Sequence, residues 1–239
     1  MRPFLLLVCR PMGTIADMER QEMLDRGGIE ADELVSHRLD LPGPLPRLDD
    51  YSGVLISGSP YNIMTADKAK TTAQITVEEK LADLCDEIID RDYPTLGLCY
   101  GLQVLTLRAG GSLTRAHAEP ISAPALTVTE QGLTDPLLRD LGPSFRSYVG
   151  HAESVGRVPE SMTVLASSDI VPVQMGRITE NVYGTQFHPE ISRDGARVRI
   201  GLYGGVYYDA EEHDKVMAEC MNAYTEDSIL PTFIDRYRS

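Results

Sequence analysis

No apolar run in this sequence is long enough to cross a bilayer. The longest near the start, Phe4-Leu5-Leu6-Leu7-Val8-Cys9, is far below the length a spanning helix needs and lacks the small-residue cleavage site of a secretory signal. It reads instead as a buried strand, and no membrane partner is expected. Positive charge is also scarce. With 22 Lys and Arg against 36 Asp and Glu, the formal charge is −14 and the isoelectric point about 4.7. Long-range electrostatics would therefore repel a phosphate backbone or an anionic surface, which argues against nucleic acid as a partner. Cysteine occurs four times, at Cys9, Cys85, Cys99 and Cys220, without the CxxC spacing of a metal knuckle or the density of a disulfide scaffold. A reduced, cytoplasmic chain is expected, with Cys9, Cys85 and Cys220 as small buried hydrophobes. There are no repeats and no low-complexity linker.

What is present is an ordinary globular composition, 42% hydrophobic and 24% charged over 239 residues, enough for one domain with or without a C-terminal extension. Strand-length apolar runs alternate with segments of helical period, the pattern of an α/β layer fold with a mostly parallel sheet. Strands are expected at 4–9, 51–57 and 95–98. Helices are expected at 17–24, 77–90 and 100–109, the second started by a capping box of Thr76 and Glu79 and carrying Val77, Leu81, Leu84, Cys85 and Ile88 on its buried face. From 125 to 190 the pattern turns to short β-rich pieces (125–129, 163–167, 171–175 and 182–187), read as antiparallel additions to the sheet. The tail shows one helical segment at 210–224 and a terminal piece that Pro231 starts. Val206, Tyr207, Val216, Met217, Met221 and Tyr224 are its candidates for covering the sheet.

Three local signals carry chemistry. Gly97-Leu98-Cys99-Tyr100-Gly101 lies between a strand and a helix with the spacing of a nucleophile elbow, in which a sharp turn lifts one side chain above the sheet and flanking glycines let the arms approach. The helix dipole there favours a thiolate. By itself the pentapeptide fits a buried structural cysteine equally well. His188 and Glu190 follow another strand two residues apart, so an extended backbone points both to one side and the carboxylate can orient the imidazole. Ile56-Ser57-Gly58-Ser59-Pro60 turns the chain at the carboxyl end of a third strand, where open α/β sheets bind ligands, and its N–H groups with that of Tyr100 would suit an oxyanion.

Together with Leu102-Gln103, His151-Ala152-Glu153 and Gln186-Phe187-His188-Pro189-Glu190, these segments resemble the class I, triad-type glutamine amidotransferases over residues 1 to about 195, most nearly the glutaminase domain of GMP synthase and its stand-alone relatives. The resemblance implies a three-layer, flavodoxin-like sandwich at 1–195, with 196–239 as a helical extension packed on the same domain. It implies Cys99 as nucleophile, His188 as general acid and base, and Glu190 as the partner that orients His188. An oxyanion site near Gly58, Ser59 and Tyr100, and substrate contacts at Gln103, His151, Ala152 and Glu153, come with it. Neither metal nor cofactor is required by such a scheme. The substrate implied is L-glutamine or, as in stand-alone γ-glutamyl peptidases of the same superfamily, another γ-glutamyl compound. No Ser-Gly-Gly-x-Asp-Ser loop or phosphate-cradling G-x-x-x-x-G-K-[ST] is found, so ammonia would go to a separate synthetase or acceptor subunit, unless the enzyme is a stand-alone hydrolase. A silent binding protein that kept the fold is the remaining alternative. The sequence departs from the family at Ser59, where Gly is usual, at Leu102, where His is common, and at Glu153, which replaces an Asp.

Overall fold

The computed structural model describes residues 2–203, 208–226 and 228–239. The strands are β1 (Phe4–Val8), β2 (Leu34–Arg38), β3 (Val54–Ile56), β4 (Thr95–Leu98), β5 (Leu113–Thr114), β6 (Glu119–Ser122) and β7 (Ala125–Val128). They continue with β8 (Ser144–Arg146), β9 (Val149–His151), β10 (Ser154–Val155), β11 (Thr163–Ser167), β12 (Met175–Arg177) and β13 (Val182–Thr185). Among the described residues six α-helices accompany them: α1 (Thr14–Gly27), α2 (Thr72–Asp90), α3 (Tyr100–Arg108), α4 (Arg193–Tyr203), α5 (His213–Asn222) and α6 (Ile229–Tyr237).

Nine strands of the described residues form one sheet in the order β2-β1-β3-β4-β13-β12-β11-β7-β8. Its first five strands pair in parallel, and the remaining pairings are antiparallel. The central strands β1, β3, β4 and β13 are buried on both faces, and β1 shows why such a strand is continuously apolar. Phe4, Leu6 and Val8 join one core cluster with residues of α1 and α6, while Leu5, Leu7 and Cys9 join the other, with residues of α2 and α3. Alternation along a strand sends successive side chains to opposite faces, so a strand covered on both sides must be apolar throughout. The result is the three-layer α/β sandwich expected from the sequence. Among the described residues no helix is long and apolar enough to cross a membrane.

Several local expectations shift. Strand β2 is an addition to the expected set: as an edge strand it buries Leu34 alone and leaves Val35 and Ser36 exposed, so it carries little apolar signal. The second expected strand is shorter than 51–57, because residues 48–50 form a 3-10 turn before β3. Helix α2 begins five residues before the expected Val77. Its N-cap is Thr71, whose hydroxyl accepts from Gln74 N–H at 3.1 Å, while Thr76 lies within the helix and donates to Thr72 O at 3.0 Å. The apolar face is the expected one, since Val77, Leu81, Leu84, Cys85 and Ile88 are its buried side chains together with Gln74. The piece at 171–175 is irregular until Met175, as Pro172 has no N–H to give a ladder. Helix α4 has no counterpart among the expected elements, and it runs through residues 195 and 196. The segment at 210–224 is a 3-10 turn followed by α5, with Val216 buried and Tyr224 84% exposed. Val206 and Tyr207 lie outside the described residues. Pro231 falls in the first turn of α6, where its missing N–H costs nothing.

The glycines of the elbow are needed for close approach. A Cβ on Gly97 would lie 2.8 Å from the backbone carbon of Gly101, and one on Gly101 would lie 2.9 Å from Ile56 Cβ on β3. Helix α3 is thus seated directly on β3 and β4. Gly101→Ala is expected to destabilise the fold by about 1–3 kcal/mol, the range for overfilling a packed core, read as a lower urea midpoint at unchanged slope.

Candidate active site

Four neighbouring parallel strands, β1, β3, β4 and β13, end on the same edge of the sheet, and each delivers residues of interest just beyond its carboxyl end. Arg10 follows β1, Gly58 and Ser59 follow β3, Cys99 follows β4, and Gln186, His188 and Glu190 follow β13. Parallel pairing makes this convergence unavoidable once each residue sits a few positions after its strand.

Cys99 is the N-cap of α3 with φ 48° and ψ −91°. With Asp92 it is one of two non-glycine residues at positive φ among those described, a conformation that costs an L-residue on the order of 1–3 kcal/mol. Its N–H donates to Thr185 O at 2.6 Å, which ties the turn to β13 and so to the segment bearing the histidine. The cysteine is 7% exposed, and its sulfur accepts a 3.3 Å hydrogen bond from Gln186 Nε2.

His188 Nδ1 lies 2.7 Å from Glu190 Oε1, with the histidine side chain 12% exposed and the glutamate fully buried. Spaced by two, the side chains meet on one side of the chain. The histidine's own N–H donates to Tyr148 O at 2.9 Å, and the Tyr148 hydroxyl in turn donates to Cys220 O of α5 at 3.2 Å. Burial, the largest single influence, opposes the charged imidazole. The charge of Glu190 and hydrogen bonds with Cys99 and Glu190 outweigh it, and the His188 pKa is pushed up to about 10. Burial likewise pushes Glu190 up, but the His188 charge and hydrogen bond, with Arg199 beyond, bring it below the usual carboxylate value.

The turn at Gly58 and Ser59 lies against this pair. A Cβ on Gly58 would sit 3.1 Å from His188 Cε1, and Ser59 lines clefts on both sides of Cys99. The serine hydroxyl is occupied within the turn, donating to Cys9 O at 2.7 Å and accepting from Tyr61 N–H at 3.1 Å. It braces the backbone where the family usually has glycine.

Gln103, His151, Ala152 and Glu153 come together with Tyr100 and Cys99 around one cleft. Gln103 Nε2 donates to Glu153 O at 2.6 Å. The Glu153 carboxylate, longer by a methylene than the usual Asp, accepts from Met64 N–H at 3.1 Å and from Arg115 Nη2 at 2.9 Å. His151 Nε2 lies 2.9 Å from Glu119 Oε2. Leu102 points away from the site, fully buried against Gly184.

Sequence reasoning did not single out Gln186, Glu119, Arg10 or Arg199. For Gln186 a signal existed, because it precedes His188 by two and so shares its side of the extended chain. Arg10 was findable only as a residue just beyond β1. Glu119 and Arg199 carry no local mark. Arg10 Nη2 pairs with Glu19 at 3.1 Å, with side chains 8% and 2% exposed, and Arg199 Nη1 pairs with Glu22 at 2.8 Å. Cys9, Cys85 and Cys220 are buried and form no disulfide, and burial raises the pKa of each thiol. Among the described residues no group of three or more His, Cys, Asp and Glu is arranged to hold a metal ion.

A thiol, an imidazole and a carboxylate gathered beyond parallel strands, next to a turn of backbone N–H groups, define an arrangement able to carry out acyl transfer through sulfur. The chain belongs to the glutamine amidotransferase class-I family, whose model matches residues 21–199, as the motif resemblance led us to expect. Among its relatives is the glutamine-hydrolyzing GMP synthase subunit of Methanocaldococcus jannaschii, 33% identical over 144 residues, which are 60% of this chain and 66% of that protein. The corresponding subunit of Halobacterium salinarum is 29% identical over 191 residues, 78% of this chain and 89% of that one. Of a longer glutamine-hydrolyzing GMP synthase from Petrotoga mobilis, the chain spans 25%. The fold matches that of a glutamine amidotransferase from Thermotoga maritima over the whole of both chains, with a TM-score of 0.75 at 18% identity.

The charge pair sets a pH window. Because the folded pKa of His188 is raised, its contribution to stability is complete below the unfolded value near 6.5 and is lost as pH rises through about 10. Glu190, being lowered, contributes above its unfolded value and is lost in acid. In nitrogen-15 spectra the His188 imidazolium is expected to persist to about pH 10, and Glu190→Gln should bring its titration down towards the ordinary 6.5, since burial then meets less opposition. Titration of the wild-type residue at that ordinary value would contradict this account.

Proposed function

We propose that the chain hydrolyses the side-chain amide of glutamine through a thioester on Cys99. The observation that carries this reading is the buried 2.7 Å pair of His188 and Glu190 beside a cysteine held in an elbow at φ 48°. The Cys99 thiolate attacks the γ-carbonyl carbon, and the oxyanion is received by the N–H groups of Ser59 and Tyr100. The C–N bond then breaks as the His188 imidazolium gives its proton to the departing nitrogen. Glu190 keeps that imidazolium oriented and charged, and Gln186 holds the sulfur. Water next attacks the thioester, its proton passes to His188, and glutamate leaves with the thiolate restored. Gln103 and the 151–153 segment form the wall against which the glutamyl group is held.

The names of the relatives support a division of labour. Several are single subunits of a glutamine-hydrolyzing GMP synthase, which suggests that this chain hands ammonia to a separate acceptor protein, in a reducing cytoplasm where its cysteines stay unpaired.

Cys99→Ala is expected to lower glutaminase turnover at least about 10³-fold while the thermal melt stays close to that of wild type. A glutamine-like chloroketone should add its mass to the peptide containing Cys99 and to no other cysteine peptide. Absence of labelling, with ammonia release unmeasurable, would instead identify a silent binding protein.

A further inference from the structure

The main chain at Gly58 and Ser59 is tied to the end of β1 at each step. Ser57 N–H donates to Leu7 O at 3.0 Å, and Cys9 N–H donates to the Ser57 hydroxyl at 2.9 Å. That hydroxyl donates onward to Gly58 O at 2.9 Å, where Arg10 Nε arrives as a second donor at 3.2 Å. Past the peptide, the Ser59 hydroxyl donates to Cys9 O at 2.7 Å. The space a Cβ on Gly58 would fill is taken from two sides, by Arg10 Nη2 at 3.0 Å and by His188 Cε1 at 3.1 Å. The turn is clasped between the arginine and the histidine, and glycine gives both of them room.

Most of these ties fix where the turn lies. The two donors on Gly58 O also fix which way its peptide faces. A peptide bond is planar, and in the trans form its C=O and N–H leave opposite edges; no cis bond occurs among the described residues. With the carbonyl held towards β1, the Ser59 N–H is presented on the other edge, and it has no acceptor among the described residues. Ser59 and Cys99 line the same two clefts, so this free donor belongs to a residue in the wall beside the sulfur.

Of the two donors on that carbonyl, the arginine is the firmer. A charge-assisted hydrogen bond is stronger than a neutral one, and a planar guanidinium can serve two acceptors at once. Arg10 spends Nη2 on Glu19 at 3.1 Å, with both side chains buried. Glu19 answers its charge and fixes its plane, which leaves Nε aimed at the carbonyl. If Ser59 N–H receives the oxyanion as proposed above, on which this inference rests, turning the peptide over would put a carbonyl oxygen where a donor is needed beside the developing charge. We propose that Arg10 is a positioning residue. Seated on Glu19, it locks the Gly58–Ser59 peptide with its N–H preset for the oxyanion, and it acts through that peptide rather than on the reacting atoms.

The test compares the full wild-type chain with Arg10→Lys, glutamine turnover being followed by ammonia and glutamate release. Lysine keeps the charge opposite Glu19, but its compact head has no fork with which to hold Gly58 O as well. The expected result is a kcat lower by about 10- to 100-fold, the scale of one hydrogen bond to a charged group. KM should stay within about twofold, the signature of an interaction made only in the transition state. Alkylation of Cys99 by iodoacetamide reports on the sulfur alone, because displacement of iodide develops no oxyanion, and its rate and pH profile are expected to match wild type. A merely structural role would move alkylation and KM together with kcat. Should Arg10→Lys fold poorly, as its thermal melt would show, the Arg10→Met, Glu19→Gln double variant removes both charges of the buried pair and is expected to give the same split. Wild-type kcat in a folded variant, or alkylation slowed as much as turnover, overturns the positioning role and leaves the glutaminase reading standing. A wild-type chain that releases no ammonia from glutamine overturns that reading and the positioning role with it.

Discussion

Cys99 keeps a backbone conformation that its side chain disfavours, at φ 48°, because strands on both sides leave it no other. Its N–H is drawn onto Thr185 O of β13 at 2.6 Å, and helix α3 is pulled against β3 and β4 where Gly97 and Gly101 leave no room for a Cβ. The strain of the turn, on the order of 1–3 kcal/mol, is small beside the packing that opposes its release. Since β13 also leads to His188, the hydrogen bond that holds the elbow sets the register between sulfur and imidazole. Cysteine and histidine are positioned by one sheet, and neither can shift without disturbing the other.

Around that register lies a set of charges in a poorly hydrated place. Glu190 and Glu19 are 0% and 1% exposed, and Arg10 and Arg199 are 7% exposed. Removing such groups from water is costly, so each must find an opposite charge or a donor. The His188 and Glu190 pair answers this cost by raising one pKa and lowering the other, which keeps the imidazole charged at neutral pH. The Arg10 and Glu19 pair does a second task, since Arg10 Nε also holds Gly58 O and so steadies the turn facing the sulfur.

Much of this was legible in the sequence where the chemistry is local. The apolar run of β1, the buried face of α2, the elbow at Cys99 and the two-residue spacing of His188 and Glu190 are each decided within a few positions, and the fold honours them. What escaped was decided by distant partners. The edge strand β2 has one buried residue and is a strand because β1 lies beside it. Thr71 caps α2, and with Gln74 it has the same capping-box spacing that Thr76 and Glu79 show further on, so local spacing does not choose between them. Arg199 reaches the site from α4, whose few buried residues gave little periodic signal. Ser59, Leu102 and Glu153 depart from the family pattern in the sequence. Their side chains brace the turn after β3, fill the core against Gly184, and anchor Met64 and Arg115.

The path from His188 N–H to Tyr148 O and from the Tyr148 hydroxyl to Cys220 O has a mechanical meaning. Helix α5 packs in the smaller of the three apolar clusters, with Tyr148, Ile121 and Ile200, and segments with modest apolar contact open at lower free energy than the central strands. Each such opening releases the phenol, slackens the link between β8 and β9 that carries it, and loosens the backbone grip on the histidine. The stiffness of the imidazole is therefore set partly by a helix that holds it through the Tyr148 link.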